Sequence, residues 1–261
     1  MDSIEIGLKP VVDVKGLTVS RSGKVIIDNV NFSINHGEFV GLVGPNGSGK
    51  STLLLAILGI LKAQKGNVTI YGSQPMSRNL VGKIGWVSQA ASNLPQEIRI
   101  TVEELVKLGT INSKNMFFRT SKDAKNLIEK SIEMVGLVDQ RKTDVSKLSG
   151  GQRQRAVIAR ALASNADLIL LDEPLVGIDR SARNALLKLL DDLCHNKGKT
   201  ILMVSHDLTA IRQTSHRMIY LEEGIKFDGP AGDFPNLEKL ADLRGIKHVH
   251  GDHNHDHSKG D

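Results

Sequence analysis

The chain has one cysteine, Cys194, in 261 residues. Neither a disulfide framework nor a thiolate metal cluster can be built from it, and its helical neighbours suggest a core thiol. Aromatic residues are 3% of the chain, too few for a base-stacking platform. The formal net charge of +5 is mild and spread along the sequence, so no nucleic-acid partner is expected. Long apolar runs are missing as well. The longest, residues 53–61, is less than half of the roughly twenty residues that a membrane helix needs. The start, Met1-Asp2-Ser3-Ile4-Glu5, is acidic with no apolar stretch behind it, so no targeting segment is expected. There is no internal repeat and no long coiled-coil insertion. These absences leave a soluble chain with room for one α/β domain carrying a helical insertion.

What the chain does have is glycine in a specific arrangement. Gly44-Pro45-Asn46-Gly47-Ser48-Gly49-Lys50-Ser51, followed by Thr52, fits G-x-x-x-x-G-K-[ST]. An apolar run of strand length, residues 38–43, precedes it. Residues 52–58 behind it read as a buried helix. Glycines let the backbone fold around an anion with N–H groups pointing inward, and the helix N-terminus adds partial positive charge. Lys50 is then expected to reach the β and γ phosphates of ATP, and Ser51 to ligate Mg²⁺. The four fixed positions alone recur by chance in roughly one chain of this length in a hundred. The flanking strand and helix make chance less plausible still.

Residues 168–171 form a continuous apolar run ending in Asp172 and Glu173. Such a run suits a strand covered on both faces of a parallel sheet, whose ligands sit at the carboxyl ends of strands. Asp172 is placed to hold Mg²⁺, directly or through water, and Glu173 to face an attacking water as general base. Alone, this reads as an ordinary strand and an acidic turn; beside a phosphate loop it does not. Further along, Ser149 caps a helical pattern that runs to Ala163 and opens with Gly150, Gly151 and Gln152, a second helix start suited to an anion.

The rest of the chain is organised around these motifs. Residues 11–35 alternate apolar and polar with a turn at Ser22-Gly23, and read as antiparallel strands. Residues 38–88 are expected to form the nucleotide core, with strands near 68–71 and 83–87. Residues 90 to about 148 read as mostly helical. There Thr101 starts a capping box, and a stretch over 120–135 sets Leu127, Ile128, Ile132 and Val135 on one side. Residues 153–228 alternate helix and strand. From Lys247 onward, His248, His250, His253, His255 and His257 alternate with Gly, Asp and Asn, and no packed core is possible. Clustered imidazoles with carboxylates suit Zn²⁺, Ni²⁺ or Cu²⁺. An expression tag or a solvated polar tail would have a similar composition. The expected division is a domain over 1–246, with a helical subdomain over about 90–148, and a disordered tail over 247–261.

Leu148-Ser149-Gly150-Gly151-Gln152, 23 residues before Asp172, resembles the signature motif of ABC-type ATPases. The remaining markers fall in that family's order over about residues 10 to 230. Gln89 resembles the Q-loop glutamine that contacts Mg²⁺ and water. Gly177-Ile178-Asp179 resembles the D-loop, with Asp179 its aspartate. His206 resembles the switch histidine that contacts the γ-phosphate. One position departs from the pattern: Arg21 stands where the family usually places an aromatic on adenine. A guanidinium plane can stack on a base, but Arg21 reads equally as a solvated loop residue.

The resemblance implies a P-loop NTPase of ABC type: a parallel core sheet, an N-terminal antiparallel β subdomain and a helical insertion that docks a membrane partner. It implies that the signature of one chain covers ATP on the phosphate loop of another, so a second nucleotide-binding chain is expected, most simply a copy. Residues 100–106 with Gly109, and 174–179, resemble the ATPase subunits of zinc and manganese importers, several of which end in His- and Asp-rich tails. On that likeness the chain powers metal import through a separate integral-membrane permease, fed by an extracytoplasmic metal-binding protein. It would then sit peripherally on the cytoplasmic face of the cell membrane. An ABC ATPase for another solute, or a soluble one of the iron–sulfur assembly type, remains as the alternative. The repair and translation types fit less well, since only 98 residues separate Lys50 from Ser149 and the chain holds one ATPase unit.

Overall fold

The computed structural model describes residues 9–89, 99–111 and 121–235. The early alternation becomes a hairpin. β1 (Val12–Arg21) and β2 (Lys24–Ile34) pair antiparallel across Ser22 and Gly23, both at positive φ as a tight hairpin turn demands. β3 (Phe39–Val43) leads through the glycine loop into α1 (Lys50–Ile57). β4 (Lys65–Ile70) then pairs antiparallel with β1, giving a three-stranded sheet of order β2-β1-β4. This corrects the placement of residues 68–71 in the nucleotide core. The chain returning from α1 adds to the free edge of β1, and Tyr71, at a φ of 49°, turns it out of the sheet.

The second sheet is built from β3 with β5 (Ile84–Val87), β6 (Leu168–Asp172), β7 (Thr200–Val204), β8 (Arg217–Leu221) and β9 (Ile225–Pro230). Its order is β5-β6-β7-β3-β8-β9, parallel throughout except for β9 against β8. β3, β6 and β7 are buried at every position, as their apolar runs imply for inner strands of a parallel sheet. Parity sorts their side chains. Even positions such as Val40, Leu42, Leu170 and Leu202 meet Leu53, Leu54 and Ile57 of α1 and the inner face of the three-stranded sheet. Odd positions such as Phe39, Val43, Ile169, Leu171 and Met203 meet the helices on the opposite face. Each fully buried Leu or Ile there stabilises the fold by about 1.5–3 kcal/mol.

Those helices are α2 (Val102–Leu108), α3 (Lys122–Met134), α4 (Gly150–Leu162), α5 (Arg180–His195) and α6 (Leu208–Thr214). The capping box at Thr101 is present, with Glu104 as its partner. α3 begins at Lys122 behind Ser121 as N-cap, burying Ile128 and Ile132, with Val135 buried just beyond its end and Leu127 half-buried. Gly41 on β3 explains how close α6 comes: a Cβ there would fall 2.1 Å from Cγ2 of Ile211. Cys194 is a core thiol. It donates to the Gly37 carbonyl at 3.1 Å, and burial pushes its pKa to about 11. Among the described residues, no helix is long and apolar enough to cross a membrane. The tail histidines His248 to His257 lie outside the described residues.

Candidate nucleotide site

The carboxyl ends of β3, β5, β6 and β7 line up at one edge of the sheet. Asp172 stands level with Val204, Val87 with Leu171, and Leu42 with Val204. The segments leaving these ends therefore converge, which is where ligands sit in open α/β sheets. They enclose a cleft of about 510 Å³ lined by Asn46, Gly47, Gly49, Lys50, Ser51, Thr52, Gln89, Glu173, Val176 and His206, with Arg21 and Ile26 from the β1–β2 hairpin.

The glycine loop has backbone conformations that only glycine adopts without strain. Gly47 and Gly49 have φ of 82° and 96°. Gly44, at 152°, is also hemmed in, since a Cβ would lie 2.2 Å from the Leu221 carbonyl oxygen. α2, α4, α5 and α6 each carry a side-chain cap from Thr101, Ser149, Asp179 and Asp207. α1 starts at Gly49 with no side-chain cap and no acidic residue in its first turn, leaving its first N–H groups open toward the cleft. Lys50 is 7% exposed and donates from Nζ to the carbonyls of Gly44 and Pro45, both at 2.9 Å. Burial holds its pKa below the usual lysine value, against the pull of Glu173 and Asp172. The loop thus presents a cation and a set of N–H dipoles on one side.

Carboxylates face them. Ser51 Oγ donates to Asp172 Oδ1 at 3.0 Å. Burial raises the Asp172 carboxyl, and the neighbouring Glu173 adds to that, while the Ser51 hydrogen bond and Lys50 oppose it. A divalent cation would remove the cost of this buried charge. Its oxygen donors, the Ser51 hydroxyl, the Asp172 carboxylate and the Gln89 amide oxygen, suit Mg²⁺. Glu173 sits at a φ of 51°, in the left-handed region, held there by its N–H donating to the Val204 carbonyl at 3.0 Å. Its Oε2 lies 2.9 Å from His206 Nδ1. The expected residues Lys50, Ser51, Gln89, Glu173 and His206 therefore share one cleft, with Asp172 beneath Ser51.

The signature segment does not join them. Ser149, Gly150, Gly151 and Gln152 are absent from the lining of the cleft. Ser149 Oγ accepts from the Gln152 N–H at 3.3 Å, and Gln152 Oε1 accepts from the Ser149 N–H at 3.0 Å, closing a capping box. Gly150 and Gly151 pack on the turn that begins α5. A Cβ on Gly151 would lie 2.3 Å from Cβ of Ala182, and one on Gly150 would lie 3.1 Å from the Gly177 carbonyl. Asp179 caps α5 through the Ala182 N–H at 2.9 Å.

The family described as "ABC transporter" matches residues 27–176, more than half of the chain. The chain belongs to this family. Two curated zinc-uptake relatives are the ATP-binding protein ZurA of Listeria innocua and ZnuC of Bacillus subtilis. ZurA is 35% identical, covering 91% of this chain and 95% of its own length. ZnuC is 38% identical, covering 83% and 93%. The manganese transport system ATP-binding protein MntB of Halalkalibacterium halodurans is 36% identical, covering 90% and 92%. Among solved structures, an ATP-binding cassette in a dimeric post-hydrolysis state, bound to ADP and Pi, superposes with a TM-score of 0.70 at 31% identity. It covers 85% of this chain and 100% of that one. This ABC chain is an ATPase that binds ATP with Mg²⁺, and the cleft has the oxygen donors, cation and open helix start that such a ligand needs.

Sequence reasoning missed two residues of this region. Ile26 lines the cleft from β2 and gives no motif of its own. Asp207, next to His206, caps α6 and pairs with Arg183 of α5. The aspartate before an apolar helical stretch is a capping signal, but its ion partner on another helix carries none.

Proposed function

We propose that the chain is the motor of a transition-metal importer, with zinc or manganese as the cargo, acting on a separate membrane permease supplied by an extracytoplasmic metal-binding protein. One observation carries the mechanism: the chain gathers its phosphate loop, Glu173 and His206 in one cleft and leaves Ser149–Gln152 out of it. A second copy meeting it head to tail supplies the missing signature to each site. The dimeric relative bound to ADP and Pi supports that arrangement. The zinc and manganese systems among the curated relatives support the cargo, and they favour transport over a soluble assembly role. The chain then sits peripherally on the cytoplasmic face of the membrane, docked by a helical subdomain over about 90–148.

In this reading the loop N–H groups of Gly44 to Thr52 cradle the phosphates and Lys50 moves from its own carbonyls to the β and γ oxygens. Ser51, Asp172 and Gln89 hold Mg²⁺, which when bound neutralises phosphate charge. Glu173 takes the proton of the attacking water, a role worth about 10²–10⁴ in rate. His206 positions Glu173 and contacts the γ-phosphate. Ser149 and Gly151 of the second copy close over that phosphate, and Asp179 orders the turn beside them. Arg21 and Ile26 form the surface on which the base rests. Hydrolysis reopens the pair and delivers its free energy as a change of shape. Residues 1–246 form the ATPase unit, and the histidines of 247–261 take up incoming cytosolic metal.

The test is metal uptake in cells lacking this chain, with zinc, manganese, iron and nickel each made limiting. Loss of zinc or manganese uptake, restored by wild type but not by Glu173→Gln, supports the reading and names the cargo. Unchanged uptake of all four removes the role in importing these metals and leaves the ATPase, with weight shifted to another solute or to the soluble assembly role.

A further inference from the structure

His206 is held from more than one direction. On one side its imidazole meets Glu173 Oε2. Along the chain, the Asp207 N–H donates to Ser205 Oγ at 3.1 Å, closing a small ring around His206, and Ser205 is fully buried. The carboxylate of Asp207 then divides its two oxygens. Oδ1 accepts from the Ala210 N–H at 3.0 Å and caps α6, while Oδ2 pairs with Nη1 of Arg183. Arg183 stands on the first turn of α5, the turn that Asp179 caps. Its Nε is enclosed with no partner among the described residues, and Asp207 is the one polar contact of its guanidinium there. The side chain as a whole is 39% exposed, so the pair with Asp207 is what ties its guanidinium to the loop after β7.

The same turn of α5 touches the signature. Ala182, the residue before Arg183, occupies the space that a Cβ on Gly151 would need. One helical turn therefore abuts both the Ser149–Gln152 segment and the loop carrying His206. In the paired assembly proposed above, those two segments face different nucleotides: the signature serves the partner's, and His206 serves the chain's own.

The geometry points to Arg183 as a positioning residue for His206, tying the loop after β7 to the turn of α5 on which the signature glycines pack. It does not line the nucleotide cleft. It acts by keeping Asp207, and through it the His206 backbone, in register with α5, so that a shift of the signature helix on engaging a second copy is felt at the chain's own γ-phosphate position. The inference rests on the proposed role of His206.

ATP hydrolysis by the full chain, measured as kcat and KM together, tests it. Substitutions along such a link change coupling by about two- to thirtyfold. Arg183→Met keeps the apolar stem and removes the charge; it should lower kcat by about tenfold and leave the KM for ATP unchanged. Arg183→Lys should restore most of the rate. Asp207→Asn keeps a cap on α6 and removes the ion pair, so it should match Arg183→Met, and the double variant should be no slower than either single one. Wild-type kcat in Arg183→Met, a loss that lysine does not repair, or losses that multiply in the double variant would each overturn the proposal. If Arg183→Met does not fold, Asp207→Asn and Arg183→Lys probe the same pair. His206→Ala separates the two layers of the argument. Full turnover in that variant defeats the role of His206 itself, whereas its inactivity beside a normal Arg183→Met defeats only the link.

Discussion

Ser51 and Asp172, 121 positions apart in sequence, are joined by a hydrogen bond of 3.0 Å that locks the start of α1 to the end of β6. The bond places a hydroxyl on a carboxyl that burial and Glu173 have raised above its ordinary value of 3.8. In the nucleotide-free protein the ionised form of Asp172 is therefore unfavourable. Its native state holds the proton more tightly than the unfolded chain does, so this group weakens the fold as pH rises past 3.8 and through the raised native value. Asp172→Asn keeps an acceptor for Ser51 and removes the titration. Its urea midpoint should exceed that of wild type by a margin that opens as pH climbs from the carboxylate range to neutrality. Magnesium-dependent ATP hydrolysis should be lost in the same variant. A pH-independent difference in midpoint would contradict the placement of this charge.

Glu173→Gln keeps the side chain's shape and its contact with His206 while removing the base. Turnover should fall by at least about a hundredfold, with ATP still bound and the chain recovered as a nucleotide-loaded dimer on gel filtration. Retained phosphate release would sink the general-base role.

Gly151→Ala drives a methyl into Ala182. Overpacking of this kind costs about 1–3 kcal/mol and, in the proposed assembly, displaces Ser149 from the face turned to a second copy. Melting temperature and ATP-dependent dimerisation should fall together. Ala182→Gly in the same chain should restore both, because it vacates the contested space. Thermal melts and light scattering with ATP would check the pair.

Removing residues 247–261 should leave ATP hydrolysis unchanged in buffer that holds Mg²⁺ but no transition metal, and should lower the Zn²⁺ bound per chain, read by equilibrium dialysis. Equal zinc binding with and without the tail would show that its imidazoles are not the ligands.

Much of this site is legible before folding because its parts are local. Strand, glycine loop and helix lie in one continuous stretch, and the helix starts at Thr101 and Ser149 are set by side chains within three residues of the N–H groups they cap. β6 is readable because a strand covered on both faces must be apolar at both parities. What sequence hides is pairing. β4 carries nothing to say that it would add to β1 rather than to β3; that depends on where α1 lets the chain return. The Arg183–Asp207 pair is hidden for the same reason, since two ordinary surface-type residues acquire meaning only when α5 and α6 are set side by side. The tight fit of Gly151 on Ala182 is likewise a property of two helices, and neither helix announces it alone.

The left-handed backbone at Glu173 sets stability against chemistry at a single position. A glycine there would relax the turn without cost to the Val204 hydrogen bond, since that bond uses the backbone N–H. Selection on thermal stability alone would accept that change and erase the carboxylate with it. With Glu173 as the proposed base, an evolution experiment that raises the melting temperature of this chain has to screen for hydrolysis in the same round.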